Sequence, residues 1–172
     1  GGRAWVQLFH AGAYSHPILI DNQQPMAPSE VYSPNAKTTP REMTIEDIET
    51  VQESYVKAAL RAREAGFDGV EILASAGYLI TQFLSPLRNK RTDRYGGSFQ
   101  NRTRFPREVI EKIRRAVGPD YPVTIRMAGN DFVVGSNTDS ETPRFAEVYA
   151  QAGVDAINVT GGWHESRVPQ LP

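Results

Sequence analysis

Four short stretches of the chain are rich in apolar residues, which is the pattern of buried β-strands. They are residues 3–9, 67–74, 121–127 and 155–159. The first is so short that its pattern also fits a helical turn. The second is apolar almost throughout, and Asp68 and Glu71 are its polar exceptions.

Between these strands, apolar residues recur at every third or fourth position, which predicts helices with one buried face. The first helix begins after Thr44, which with Asp47 three positions on forms an N-terminal cap, and it stops at Gly66. The same spacing predicts a second helix over Arg104–Val117 and a third over residues 141–152.

Two long stretches lack such periodicity. Residues 10–43 contain five prolines, so we expect an irregular surface excursion there. Residues 75–100 are polar and punctuated by glycine, with one helical turn at Leu79–Leu84. The charged run RNKRTDR at residues 88–94 fits either a phosphate-binding patch or an ordinary solvated loop.

The alternation of strands and helices predicts a parallel sheet built from right-handed crossovers. Two architectures fit: a doubly wound open sheet, or part of an eight-stranded barrel. Neither G-x-G-x-x-G nor G-x-x-x-x-G-K-[ST], the phosphate-binding signatures typical of open sheets, occurs in the chain. We therefore expect an α/β fold that is a partial (β/α)8 TIM barrel, with open sheet edges and an unfilled interior.

Composition narrows the classes of function. The 172 residues suffice for one domain, and 19 Lys+Arg against 20 Asp+Glu give no basic excess that would predict nucleic acid or an anionic membrane as a partner. The absence of cysteine excludes disulfides and thiolate metal sites within these residues. No apolar run approaches the ~20 residues of a membrane helix, and no signal peptide is recognisable, so we expect a cytoplasmic protein. Because the first residue is Gly and the chain ends in a loop, we expect a piece of a longer protein.

Polar residues collect at and just after the ends of the predicted strands, where barrel enzymes carry their catalytic groups. These positions are Gln7, His10, Ser75, Gly77, Tyr78, Arg126, Asn158, Trp163, His164, Glu165 and Arg167.

Each candidate has a structural alternative. Gln7 could bond to backbone groups inside a barrel, and Tyr78 could be a packing residue. Arg126 in an apolar strand needs an anion or several acceptors, which favours a ligand. His164 follows a Gly-Gly turn, and we expect it to be exposed and to titrate near neutral pH, whereas His10 is expected to be structural. No metal-ligand spacing and no Ser–His arrangement is present.

Several motifs resemble those of the Old Yellow Enzyme family of flavin-dependent oxidoreductases. FDGVEILASAGYLITQFLSPLRNKRTDRYGGSFQNRTRF (residues 67–105), QLFHAG (7–12) and AREAGFDGVEI (62–72) carry the resemblance. GGWHESRVPQL (161–171) is similar to the branch that contains bacterial 2,4-dienoyl-CoA reductase and related bile-acid and enoate reductases. The resemblance implies an FMN-binding TIM barrel, of which residues 1–172 would be an incomplete domain spanning the third to sixth strands.

The resemblance also implies roles for the strand-end residues. Gln7 would bind the pyrimidine edge of FMN, and Arg126 would lie near the flavin N1 and C2 carbonyl. Tyr78 would donate a proton, assisted by His164. Electrons would come from NAD(P)H, and the substrate would be a conjugated acyl-CoA. The substrate would be bordered by Glu165, Ser166, Arg167 and Val168.

Leu73 and Ala76 stand where many family members carry a His–His or His–Asn pair that grips a carbonyl oxygen. The dienoyl-CoA branch also lacks this pair, which favours that branch over a cyclic-enone reductase. A bile-acid, 3-oxo-Δ4-steroid or enoate reductase is an alternative, as is a non-catalytic half-barrel fragment. An iron–sulfur cluster could lie only outside these cysteine-free residues. We expect the isolated chain to bind FMN poorly, because the phosphate site would come from later strands.

Overall fold

The computed structural model of the protein describes residues 1–168. Its strands and helices alternate as the periodicity predicts, with boundaries shifted by one or two residues. In chain order they are β1 (Trp5–Leu8), β2 (Met26–Ala27), β3 (Arg41–Glu42), α1 (Ile45–Glu64), β4 (Gly69–Ala74), α2 (Leu79–Leu84), α3 (Phe99–Arg102), α4 (Arg104–Val117), β5 (Val123–Ala128), α5 (Thr142–Ala152) and β6 (Ala156–Thr160).

The main sheet has four parallel strands in the order β1-β4-β5-β6. The helices α1, α4 and α5 connect successive strands and share one apolar core with a single face of the sheet. A doubly wound sheet would carry helices on both faces. Within residues 1–168 the arrangement is instead that of consecutive βα units of a barrel.

The other face of the sheet, here called the inner face, is polar. Residues alternate between the two faces of a strand, and the register pairs Gln7 with Glu71, Glu71 with Thr124 and Arg126 with Asn158. Each of these five side chains is exposed or half-buried, whereas their neighbours Ile72, Val123 and Ile125 are fully buried against the helices. Chemistry-bearing groups therefore line the side of the sheet that faces away from the helices.

Helix α1 begins with the predicted cap. The Thr44 hydroxyl accepts a hydrogen bond from the Asp47 amide (3.0 Å), and the Asp47 carboxylate accepts one from the Thr44 amide (2.8 Å). The Arg41 guanidinium beside Asp47 holds the pKa of that carboxyl well below its usual range. The helix ends before Gly66, as predicted, and Gly66 has a left-handed conformation (φ 85°). None of the helices among residues 1–168 has the length and hydropathy to cross a membrane.

The proline-containing excursion holds only short elements, as expected. They are two 3-10 helices, Gly12–Tyr14 and Pro17–Ile20, and the two-residue parallel pair β2–β3.

Both interpretations of the charged run at residues 88–94 are wrong for two of its arginines. Arg88 and Arg91 are each only 7% exposed. Arg91 donates hydrogen bonds to the carbonyl oxygens of Pro28 (3.0 Å) and Met43 (2.6 Å) and pairs with Asp93. The excursion has few backbone partners of its own, so a guanidinium with five donors satisfies its buried carbonyls.

Candidate active site

Tyr78 and His164 lie in contact at the carboxyl end of the sheet. Tyr78 precedes α2 in the segment after β4, and His164 lies in the segment after β6. A parallel bridge between Ala76 and Trp163 aligns the two segments, and the His164 amide donates to the Ala76 carbonyl (3.3 Å). The Tyr78 and His164 ring centroids are 5.1 Å apart, with the rings nearly perpendicular. Two residues 86 positions apart in sequence thus form one site.

The approach of these segments depends on Gly77. Ala76 and Gly77 both have positive φ angles, 62° and 87°. A β-carbon on Gly77 would lie 1.9 Å from Nε1 of Trp163, whose side chain is only 1% exposed. Only glycine lets the backbone lie directly on this indole.

The Tyr78 hydroxyl has no hydrogen-bond partner among residues 1–168. Its ring is half-buried between Phe9 (centroid distance 5.2 Å) and Tyr14 (6.1 Å), while His164 is exposed. A phenol that is fixed by packing and unpaired at its hydroxyl can donate its proton to a bound molecule.

Gln7 and Arg126, both predicted at strand ends, lie on the inner face of the sheet. The Gln7 amide nitrogen donates to Glu71 (2.7 Å), which also accepts from Asn158 (3.2 Å). Arg126 is half-buried, and its guanidinium has neither an ion pair nor a hydrogen bond within the described part of the chain. An open depression of about 290 Å³ lies on the inner face beside Gln7; it is lined by Trp5, Gln7, Glu71 and Thr124 and does not include Arg126. This face thus offers a polar floor and a cation free to bind electron-rich atoms.

Glu165, predicted to border a substrate, has both carboxylate oxygens engaged within the protein. Its Oε1 accepts from the Tyr14 hydroxyl (2.9 Å), and its Oε2 forms an ion pair with Arg88. The side chains of Arg88 and Glu165 are 8% and 13% exposed. The carboxylate is therefore part of a buried network and not an open contact.

The three following residues differ from Glu165. Ser166 stabilises the turn, since its amide donates to the Trp163 carbonyl (2.8 Å) and its hydroxyl accepts from the Val168 amide (2.9 Å). Arg167 and Val168 are exposed, and their proposed contact with substrate stays a prediction. The end of the motif GGWHESRVPQL, from residue 169 onward, lies outside the described residues.

His10, which we expect to be structural, forms a hydrogen bond within its own loop. Its Nδ1 accepts a hydrogen bond from the Gly12 amide (3.0 Å), and burial lowers the pKa of its imidazole. Among residues 1–168, no three His, Asp or Glu side chains are grouped so that they could hold a metal ion.

Sequence patterns did not single out Tyr14, Arg88 or Glu71 as site residues. Glu71 could have been predicted as a site residue. It lies two positions before Leu73 in the same strand, and residues two positions apart in a strand point to the same face of the sheet. Tyr14 and Arg88 reach the site through irregular segments, for which no periodicity exists.

The segment after β5 contributes a buried carboxylate, Asp131. It is 2% exposed and accepts hydrogen bonds from the Ser136 hydroxyl (2.6 Å) and from the amide and side chain of Asn137 (3.2 and 3.1 Å). Burial raises its pKa to about 6, and the nearby charge of Glu141 adds to the effect. Ser136 in turn bonds to Ser85 (2.7 Å), which ties this segment to the end of α2.

Asp131 predicts a dependence of stability on pH. Because its pKa is raised in the folded protein, the folded state binds more protons than the unfolded state between about pH 4 and pH 6. The free energy of unfolding should therefore fall by roughly 2–3 kcal/mol as pH rises through this interval. Denaturant unfolding of Asp131→Asn should lose this slope, whereas the exposed Asp139→Asn should keep it. An unchanged slope in Asp131→Asn would contradict the assignment.

Comparisons with known proteins place the chain in a family. The sequence profile of the NADH:flavin oxidoreductase / NADH oxidase family matches residues 1–169. A protein named metal reductase from Desulforamulus reducens is 54% identical over 171 residues, which cover 99% of this chain and 25% of that protein.

Two solved structures have the same fold. A 2-naphthoyl-CoA reductase in complex with 2-naphthoyl-CoA is 37% identical, with a TM-score of 0.91, and the match covers 98% of this chain and 28% of the other. An Old Yellow Enzyme homologue from Zymomonas mobilis is 28% identical, with a TM-score of 0.84, over 99% of this chain and 52% of the other. These neighbours are TIM barrels, so the prediction of a partial barrel is confirmed. The chain spans between a quarter and about half of the length of these relatives.

Proposed function

Because the chain belongs to the NADH:flavin oxidoreductase / NADH oxidase family, we propose that it supplies the proton-donating side of an FMN-dependent reductase of conjugated C=C bonds. The predicted membership of the Old Yellow Enzyme family is confirmed by the same match. The observation that carries the proposal is the contact between Tyr78 and His164, 5.1 Å apart, at the carboxyl end of a sheet whose inner face holds the unpaired Arg126.

The inner face fits the ring system of FMN. Arg126, half-buried and without an internal partner, is suited to the pyrimidine end of the ring, where electron density rises on reduction. Gln7 has its amide nitrogen committed to Glu71 (2.7 Å), which leaves its carbonyl oxygen free to accept from a ring N–H. FMN reduced by NAD(P)H would supply a hydride to the far carbon of the conjugated system.

Tyr78 completes the reduction in this proposal. After hydride addition the substrate carries negative charge that is delocalised toward its carbonyl, and a carbon atom must take a proton. The Tyr78 hydroxyl, which has no competing acceptor in the described residues, donates that proton. His164, whose ring packs edge-on against Tyr78, orients the phenol or binds the carbonyl oxygen as its charge grows.

The substrate class we propose is a conjugated CoA thioester, as in the 2,4-dienoyl-CoA reductase-like branch. Leu73 and Ala76 bring no hydrogen-bond donor side chain to the strand end, so these positions cannot grip an enone carbonyl. The similar 2-naphthoyl-CoA reductase was solved with a CoA thioester. A bile-acid, 3-oxo-Δ4-steroid or enoate substrate is the alternative within the same chemistry. An iron–sulfur cluster would be held by residues outside this chain, because the chain has no cysteine. A second nucleotide site would also be formed by other residues.

The test uses the complete flavoprotein, meaning this chain joined to the remaining strands of its barrel. The protein is reduced without oxygen by NADH or NADPH and then mixed with a 2,4-dienoyl-CoA, a 3-oxo-Δ4 steroid or an enoate. We expect the dienoyl-CoA to reoxidise the flavin fastest. Faster reoxidation by the steroid or enoate would overturn the substrate class but not the reductase chemistry. A protein that purifies without FMN would contradict the whole proposal.

A specific observation keeps the non-catalytic fragment as a second candidate. Trp5 on the first strand and Val159 on the last are 42% and 63% exposed, so both ends of the sheet present apolar side chains that a closed barrel would cover. On this alternative the 172-residue chain alone would self-associate through these surfaces. A monomeric species that unfolds cooperatively would count against it.

A further inference from the structure

We propose that Tyr14, Arg88, Trp163 and Glu165, here called the loop clamp, position the Tyr78–His164 pair for proton transfer. The inference rests on the proposed function, because it assigns a role within the same step. None of the four clamp side chains needs to touch the substrate; they act through His164.

The loop clamp is a directed chain of hydrogen bonds. The Trp163 Nε1–H donates to the Tyr14 hydroxyl, and that hydroxyl donates to Oε1 of Glu165 (2.9 Å). The second carboxylate oxygen of Glu165 accepts from Arg88, which also donates to the Tyr32 carbonyl (2.6 Å). Three irregular segments, those following β1, α2 and β6, are joined through these bonds.

Burial keeps Tyr14 in the protonated form that this series of hydrogen bonds requires. Burial raises the pKa of the Tyr14 phenol, and the neighbouring Glu165 charge raises it further, so the hydroxyl keeps the proton that it donates. The Arg88 cation neutralises the Glu165 carboxylate, and both side chains are almost fully covered. A buried, hydrogen-bonded ion pair with a bridging phenol has one low-energy arrangement.

The position of the His164 ring depends on this arrangement. His164 lies between Trp163 and Glu165 in sequence, so both of its neighbours are held by Tyr14 or Arg88. Its own side chain is exposed and has no hydrogen bond within residues 1–168; its ring packs on Tyr14 (5.7 Å) and Tyr78 (5.1 Å). Loss of the Tyr14 hydroxyl would therefore loosen the residues on both sides of His164 while leaving all the rings in place.

The decisive variant is Tyr14→Phe in the complete flavoprotein. We expect the rate of flavin reoxidation by substrate to fall about tenfold, because small misplacements of catalytic groups cost one to two orders of magnitude. Reduction by NAD(P)H and FMN content should stay close to those of the parent. The thermal midpoint should fall by a few degrees, because Nε1 of Trp163 and Oε1 of Glu165 lose their shared partner. Tyr121→Phe is the matched control, because Tyr121 lies just before β5, at the opposite end of the sheet. This substitution should change neither half-reaction.

A second variant, Trp163→Phe, removes the indole N–H at the other end of the same bond. If the clamp acts as a unit, the double variant should be slowed no more than the slower single variant. Unchanged reoxidation in Tyr14→Phe would overturn the inference, as would an equal fall in both half-reactions accompanied by loss of FMN. Failure of the proposed function is recognised separately, because it would leave Tyr78→Phe itself as fast as the parent.

Discussion

Replacement of Tyr78 by Phe should slow reoxidation of the reduced flavin by substrate at least about 100-fold, while reduction by NAD(P)H proceeds at the parental rate. The substitution removes one oxygen atom and keeps the ring that packs between Phe9 and His164. General acid catalysis is worth roughly 10²–10⁴ in rate. The Tyr14 hydroxyl beside the same ring already donates its hydrogen bond to Glu165 (2.9 Å).

Stopped-flow absorbance measures the two half-reactions separately in the complete flavoprotein. The control is again Tyr121→Phe, which removes a phenol hydroxyl far from the carboxyl end of the sheet. Equal losses in the two half-reactions would mean that Tyr78 supports cofactor binding and not protonation.

The second large effect is expected for Gly77→Ala. The new β-carbon would overlap the buried Trp163 indole, 1.9 Å from Nε1, in a backbone with φ 87°. Gly66→Ala is the matched control, since Gly66 has φ 85° and open space around a built β-carbon. We expect Gly66→Ala to lower the free energy of unfolding by about 1 kcal/mol through the left-handed backbone alone. Gly77→Ala should lose about 3 kcal/mol or more, because the indole cannot move without breaking its bond to Tyr14.

Chemical denaturation followed by circular dichroism measures both losses. Equal destabilisation of the two variants would mean that the Trp163 side chain can move aside without lowering the free energy of unfolding. The segment after β4 would then not be packed tightly against it. If the overlap is real, Gly77→Ala should also slow flavin reoxidation, whereas Gly66→Ala should not.

The sequence predicted those parts of the fold that depend on local periodicity. The buried face of α1, its Thr44 cap and its end at Gly66 follow from spacing and from single-residue conformational preference, and they appear as expected. The location of Gln7 and Arg126 on one face follows from strand parity and a parallel register. The features of α1 require no knowledge of what lies elsewhere in the chain, whereas the common face of Gln7 and Arg126 also depends on how β1, β4 and β5 pair.

Pairings between distant segments could not be predicted in this way. Arg88 and Glu165 are 77 positions apart, and each stands among polar residues that look like solvated surface. They are buried because irregular segments fold back over the end of the sheet. Such segments have no repeating pattern of apolar residues in the sequence from which this burial could be predicted. The assignment of Tyr78 and His164 came from family resemblance combined with strand-end position, and the contact between them was not readable from the residues alone.

The bridging carboxylate of Glu71 also sets the polarity of the floor beneath the site. By taking one N–H from the Gln7 amide and one from Asn158, it turns the carbonyl ends of both amides away from itself. The carbonyl oxygen of Gln7 is the end of the amide that stays free, and under the proposed function it would favour a heterocycle whose facing ring nitrogen carries a proton. A ring that is alkylated at that nitrogen would have no N–H to donate to this oxygen, and we expect it to bind more weakly.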